Sequence, residues 1–304
     1  MDSLVGGENN KLKGGARRKM FVAKHCAPDK DTSKGSCLDE DLIIKIATIL
    51  NKKKNITIDL KAPIDEIHNQ LLEIIQEMND CNSEACILTM KDLLKKLGKD
   101  KQKCKQSFKP IMPKDWDGDD NAWLSTDEIE DSLKQYEQKD EKFYFYGAVP
   151  IDFSNCSVSN LCSFNLKKHM KKGDTKIGIV FNTDPHTKKG QHWISLYVDL
   201  QGKNLEGNPC IYYFDSYGRK PPQQIHKLIQ KILKQGEKYN HPLNYFYNDH
   251  CYQNINAQCG MYSIHFVKQM LKGLSFRKFL KSGLNDKKMI GYRNQYFIDP
   301  NELK

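Results

Sequence analysis

From residue 42 the apolar positions recur with a helical period, and further on they switch to the period of strands. Leu42, Ile43, Ile46, Ala47 and Leu50 fall on one side of a helix, as do Ile67, Leu71, Ile74, Ile75 and Met78, because residues three and four apart share a face. Pro63 opens the second stripe, with Asp65 and Glu66 in its first turn, where helix N-termini favour a fixed φ and negative charge. Met90, Leu93, Leu94 and Leu97 form a third stripe that stops at Gly98. Residues 36–107 therefore read as a small helical domain. The preceding residues, 1–35, are rich in Gly, Lys and Asn with little apolar periodicity and read as a flexible arm. The stretch 99–114, basic and carrying Pro110 and Pro113, reads as a linker.

Beyond the linker, 123–136 reads as a helix with Ser125 as N-cap and Glu128 three residues on, the spacing of a capping box. Strand patterns follow at 143–149, 177–182, 193–200, 211–215 and 243–247. Ile225, Leu228, Ile229 and Ile232 make a helical stripe between the last two, and 259–271 is helical with Ile264, Val267, Met270 and Leu271 inward. Strands and helices without a strict βαβ repeat predict an α+β domain over 108–304.

Composition narrows the function classes. The chain has 304 residues, of which 38% are apolar, and its 14 Tyr, 13 Phe and 3 Trp suffice for a core. No apolar run approaches the ~18–20 residues that span a bilayer. The N-terminal sequence lacks a signal peptide's apolar stretch, so the expectation is a protein with no membrane partner, outside the secretory route. Ten cysteines without such a signal predict mostly free, buried thiols, with one catalytic cysteine among them as an option. Cys81-x4-Cys86 and Cys156-x5-Cys162 lack zinc-ribbon spacing.

The net charge of +10 is unevenly placed. Eight Lys against two Asp lie in 91–109, and eleven acids against two Lys lie in 115–141. With only five Arg, solvated helix faces explain the surplus better than a nucleic-acid stripe, and DNA enters only as an accessory partner. Asp117, Asp119, Asn121 and Glu128 follow the spacing of a calcium loop, but Ala122 stands where its sharp turn needs glycine. No metal or cofactor is expected.

Chemistry concentrates in three segments. Cys259-Gly260 opens a helix, where the dipole and free N–H groups favour a thiolate. Gly260 permits close backbone approach. Gln253, six residues upstream, can donate an amide N–H to an oxyanion. His192 sits between a polar turn and the strand that begins at Trp193, and Asp215 ends the following strand. If those strands are neighbours, both side chains emerge at one rim and Asp215 fixes the imidazole tautomer. Each residue alone has a structural alternative. The order His, strand-end Asp, Gln-x5-Cys-Gly is far more restrictive.

GQHWISLYVDL, YYFDSYGRKP and QNINAQCGMYSIHF resemble the His, Asp and Gln/Cys segments of the ubiquitin-like-protein proteases and the adenovirus endopeptidase. The resemblance implies a papain-like domain with a mixed central sheet. In it His192 is the base, Asp215 the orienter, Gln253 the oxyanion donor and Cys259 the nucleophile. Asn121-Ala122-Trp123-Leu124-Ser125 is similar to the clan's Trp-Leu entry motif, which implies that Trp123 and Trp193 flank a narrow Gly-Gly channel; the alternative makes both indoles ordinary core. GIVFNTDPHTKKGQHWISLYVDL and DCNSEACILT resemble the asfarvirus polyprotein-processing cysteine proteases, with the difference that Asn stands there in place of Asp215. This likeness implies a helical N-terminal arm domain and a giant-virus relative. It further implies cleavage of viral structural precursors at Gly-Gly-x during virion maturation, in the virion or the viral factory of the host cytoplasm. Rival readings are an isopeptidase acting on ubiquitin-like modifiers, an acetyltransferase built on the same Cys and His, and a binding module that has kept the fold. The arm's own Gly6-Gly7-Glu8 and Gly14-Gly15-Ala16 make self-processing after Gly7 or Gly15 an expectation.

Overall fold

The computed structural model describes residues 24–28, 35–116, 118–205 and 207–303. Gly7, Gly15, nearly all of the expected arm and Asp117 of the calcium-loop pattern lie outside them. The chain forms two compact units. One comprises residues 1–114 together with 295–304, and the other comprises 115–294.

The first unit holds α1 (Glu40–Leu50), α2 (Ile64–Asn79) and two shorter helices, α3 (Lys91–Lys96) and α4 (Lys101–Gln106). Its core joins Leu42, Ile46, Leu50, Leu71, Ile75 and Leu93 of the stripes read from the sequence with Phe108 from the stretch read as a linker, whereas Met78 of the second stripe is exposed. A buried carboxylate organises its start. Glu84 accepts hydrogen bonds from Ser36 Oγ at 2.6 Å and the Cys37 N–H at 2.7 Å, and His68 Nε2 lies 2.9 Å away. The division falls at residue 114, not 107, and the last ten residues return to this unit. The reason is packing: Ile298 and Leu303 are buried in the same core. Ile298 exchanges backbone hydrogen bonds with Pro110 and Met112.

Three disulfides correct the expectation of free thiols. Cys26–Cys37, Cys81–Cys86 and Cys156–Cys162 are joined, with Cα atoms 5.1, 6.4 and 5.2 Å apart, within the reach of a disulfide. Cys104, Cys210, Cys251 and Cys259 are free.

In the second unit five strands form one sheet in the order β1 (Phe143–Pro150), β2 (Lys176–Asn182), β3 (Trp193–Asp199), β4 (Cys210–Phe214) and β5 (Asn244–Tyr247). The outer pairs are parallel and β2–β3–β4 are antiparallel. Every residue of β3 is buried, because helices cover both faces of the sheet. Side chains alternate between the two faces along a strand. Ile177, Ile179, Phe181, Ile194, Leu196, Ile211 and Tyr213 join Ile225, Leu228, Ile229 and Ile232 of α7 (Gln223–Lys238) in one cluster. On the other face lies α8 (Cys259–Leu271). Phe214 stacks on its Phe266 at 5.2 Å. A side chain on Gly178 of β2 would come within 3.4 Å of its Val267. Three helices carry too little apolar periodicity to be read from sequence: α6 (Leu166–Lys172), α9 (Phe276–Leu280) and α10 (Asp286–Tyr296). Before β1, α5 (Thr126–Lys139) starts at the expected capping box, in which Glu128 Oε2 accepts the Ser125 N–H at 2.6 Å. That hydrogen bond occupies the carboxylate that the calcium-loop pattern would need.

Asn204, in the β3–β4 connection, closes the far end of α8. Its Nδ2 donates to Met270 O at 2.9 Å and Leu274 O at 2.8 Å, and its N–H donates to Asp199 Oδ2 at 2.8 Å. Asn204→Leu keeps the branched shape but removes both amide hydrogens: Met270 O retains the Gly273 N–H at 2.9 Å, while the half-buried Leu274 carbonyl loses its donor. It should lower unfolding stability by about 1–3 kcal/mol, read from the shift in urea midpoint. An unchanged midpoint would show that the Leu274 carbonyl finds another donor.

Candidate active site

His192 immediately precedes β3 and Asp215 immediately follows β4. These two strands are antiparallel neighbours paired through Ser195 and Phe214, so their open ends meet at one rim. The imidazole Nε2 donates to Asp215 Oδ1 at 2.7 Å, and both side chains are buried. A buried carboxylate must be held by donors, and this one is held from several directions. Asp215 Oδ1 also accepts the Tyr217 N–H at 2.9 Å. Asn248, just past β5, brackets its backbone: Oδ1 accepts the Asp215 N–H at 2.9 Å and Nδ2 donates to the Asp215 carbonyl at 2.6 Å.

The other imidazole nitrogen, Nδ1, is buried and makes no hydrogen bond of good geometry. It is left for the Cys259 sulfur, which lies near enough to act on the charge of His192. Burial opposes the imidazolium, but the Asp215 carboxylate and the Cys259 sulfur outweigh it and push the pKa up to about 9. Cys259 is the first residue of α8 and is itself buried. The first N–H groups of a helix have no partner within it, so this end of α8 has donors to offer a negative charge.

Gln253 is almost fully buried. Its Oε1 accepts from Ser216 Oγ at 2.6 Å, and its Nε2 donates to Ile255 O at 2.7 Å and to Tyr217 Oη at 3.3 Å. Trp193 is buried and donates its indole N–H to Leu124 O at 2.8 Å, whereas Trp123 is 43% exposed. Both line a cleft of about 440 Å³ together with Leu124, Pro150, Asn182 and Gly190. All six residues expected from the sequence thus belong to one unit, and His192, Asp215 and Cys259 come together at one point.

Several residues of the site have no counterpart in the sequence pattern. Gln258, the cap of α8, donates to Asp120 O at 2.6 Å. Arg293 is buried, donates to Ala122 O and to Gln258 Oε1, and stacks with its Cζ 4.5 Å from the centre of the Trp116 ring. These bonds tie the loop that carries Trp123 to the residue before Cys259. Their signal in sequence is weak, because the acceptors are mostly backbone carbonyls, which every residue has. His265 stays out of the site. It stacks on Tyr292 at 4.3 Å, and burial followed by nearby lysines depresses its pKa to about 3.

Gly260 sits where the backbone does come close to a neighbour. A Cβ there would lie 2.8 Å from Leu124 Cβ. The gain in helix propensity for Gly260→Ala is at most about 1 kcal/mol, and overpacking costs about 1–3 kcal/mol. The variant should therefore be less stable and should displace the Trp123 loop, read as a change in tryptophan fluorescence before unfolding. A more stable variant with native fluorescence would refute the contact.

The raised pKa of His192 has a defined sign. Stability from its pairing is fully present below the unfolded value near 6.5 and is lost as pH rises through about 9. In Asp215→Asn the His192 pKa, followed by the NMR titration of its ring proton, should fall. The stability gap to the parent protein should be on the order of 1–3 kcal/mol at pH 6 and should close towards pH 9. A gap that widened over that interval would mean that the pair does not hold the proton.

Known proteins are similar to this chain in sequence and in fold. The profile of the Ulp1 protease family, C-terminal catalytic domain, matches residues 126–303, more than half of the chain. A protein of Acanthamoeba polyphaga mimivirus, provisionally named a thiol protease, is 34% identical over 184 residues, which is 60% of this chain and 59% of that relative. The chain thus spans less than two thirds of that protein's length. A cysteine protease of African swine fever virus, called SUMO-1 cysteine protease in other isolates, is 23% identical over 283 residues, 88% of this chain and 92% of that one. The crystal structure of the African swine fever virus protease matches with a TM-score of 0.63 over 90% of this chain and 96% of that one, at 22% identity, which shows a shared fold. With its family profile, its fold and its thiol-protease relatives in agreement, the chain belongs to the Ulp1 protease family and is a cysteine protease.

Proposed function

We propose that the protein is an endopeptidase that cleaves after Gly-Gly in viral structural precursor proteins during virion maturation. On this reading it works in the virion and in the viral factory of the host cytoplasm. The observation that supports it most is the buried His192–Asp215 pair with Nδ1 left to the Cys259 sulfur, beside a cleft walled by Trp123 and Trp193. The Cys259 thiolate attacks the carbonyl carbon of the second glycine. Negative charge moves to the carbonyl oxygen, where the Gln253 amide and the first N–H groups of α8 receive it. His192, charged at neutral pH, gives its proton to the leaving amine as the C–N bond breaks. Water, losing a proton to His192, then attacks the acyl carbon, and the C–S bond breaks to restore the Cys259 thiolate beside charged His192. On this reading the indoles of Trp123 and Trp193, which both line the cleft, narrow the path of the substrate so that the residue without a Cβ is favoured. DNA remains an accessory partner on this reading, supported by the basic surplus and by the resemblance to the adenovirus endopeptidase.

A second reading, an isopeptidase acting on ubiquitin-like modifiers, is favoured by the name SUMO-1 cysteine protease given to a relative. The experiment separates the two. Purified protein is incubated with Gly-Gly-x peptides, with Gly-Ala-x and Ala-Gly-x controls, and with SUMO and ubiquitin C-terminal probes, alongside Cys259→Ala. We expect cleavage after the second glycine, at least about 100-fold slower cleavage of either control, and none by Cys259→Ala. Equal cleavage of the alanine peptides would remove the narrowed path. Activity confined to the modifier probes would favour the isopeptidase, and cleavage by Cys259→Ala would discard both.

A further inference from the structure

Tyr217 touches three of the groups described above and takes no part in the chemistry proposed for them. Its N–H donates to Asp215 Oδ1, the oxygen that also holds His192 Nε2. Its ring lies with its centre 4.8 Å from that of the His192 imidazole, and Arg219 covers it at 4.7 Å. Its hydroxyl donates to Asn256 Oδ1 at 3.0 Å and accepts from Gln253 Nε2 at 3.3 Å.

The hydrogen count at Gln253 makes this last bond informative. The amide nitrogen carries two hydrogens. One is committed to the Ile255 carbonyl at 2.7 Å, and Oε1 is committed to Ser216 at 2.6 Å. Flipping the amide would set Oε1 against the Ile255 carbonyl oxygen, acceptor against acceptor, so the orientation is fixed. The second hydrogen is the only one the amide has to offer a substrate, and it rests on the Tyr217 hydroxyl across a long hydrogen bond. Because Asn256 takes the hydroxyl's own proton, the phenol faces Gln253 with a lone pair. Burial and the neighbouring Cys259 sulfur raise the pKa of Tyr217, which keeps the phenol neutral.

We propose that Tyr217 is a positioning residue: its hydroxyl holds the one uncommitted N–H of Gln253 in place until the oxyanion of the reacting carbonyl takes that N–H over, while its ring keeps the His192 imidazole over Asp215. A bond of 3.3 Å is weak enough to be exchanged for a charged acceptor at little cost, yet it denies the amide other directions. This inference rests on the reading of the site given under Proposed function.

The test uses the full chain and a Gly-Gly-x peptide. Tyr217→Phe deletes a single oxygen. It should lower kcat roughly 5–30-fold, less than the ~10²–10³-fold cost of losing a whole oxyanion donor, with KM changed less than about two-fold, because the interaction is realised in the transition state. The pH profile of Cys259 alkylation by iodoacetamide should stay as in the parent, whereas Tyr217→Ala, which also removes the ring from His192, should shift it. In a Gln253→Ala background Tyr217→Phe should cost less than about two-fold, since the amide it aims is gone. Parental kcat in Tyr217→Phe, or an equal loss with and without Gln253, would overturn the proposal. Asn256→Ala, which frees the hydroxyl to turn its proton towards Gln253, should lower kcat in the same direction and replaces the Phe variant if that one does not fold. The underlying reading fails separately: full cleavage by Cys259→Ala and Gln253→Ala would reject the site itself.

Discussion

The site depends on a carboxylate that must remain charged inside the protein. Asp215 is 2% exposed, and an ionised group at that depth is unstable unless donors surround it. Its side chain faces the His192 imidazole and the Tyr217 N–H, and Asn248 holds its backbone on both sides. The ends of β3 and β4 and the start of the loop after β5 must therefore meet at one point. The Asp215–His192 bond fixes one ring nitrogen as donor and leaves the other turned to the sulfur. What remains of the site is arranged around that choice.

Much of this is legible in the sequence because the decisive residues sit at element ends. Alternating and continuous apolar runs mark the five strands to within a residue or two, and the Ser125–Glu128 spacing marks the start of α5. Once β3 and β4 are adjacent, His192 and Asp215 share a rim by geometry alone. Cys259 is legible as a helix start because α8 has a clear inward stripe and a glycine in its first turn.

What the sequence hides acts through backbone groups or through distant partners. Asn204, Asn248, Gln258 and Arg293 bind mainly carbonyls and N–H groups, which give no residue-specific pattern. The return of the C-terminal residues to the first unit rests on Ile298 and Leu303, in a tail too short to show a period of its own. The disulfides are hidden because spacing alone does not say which cysteines the fold brings close, and compartment arguments point the other way. Tyr217 lies within a recognisable motif yet shows no role there, since a tyrosine after a strand looks the same whether it packs or aims an amide.

The burial of α8 has a consequence for how the molecule fails. Every residue from Cys259 to Lys268 is buried, so the helix has no solvent face along which to slide or tilt. Segments that open early in a protein are those with few packed contacts, and this one is at the opposite extreme. The nucleophile rides on the last piece to come apart. Heating or denaturant should thus thin the population of working molecules without producing a softened, half-active form: each molecule is either competent or unfolded.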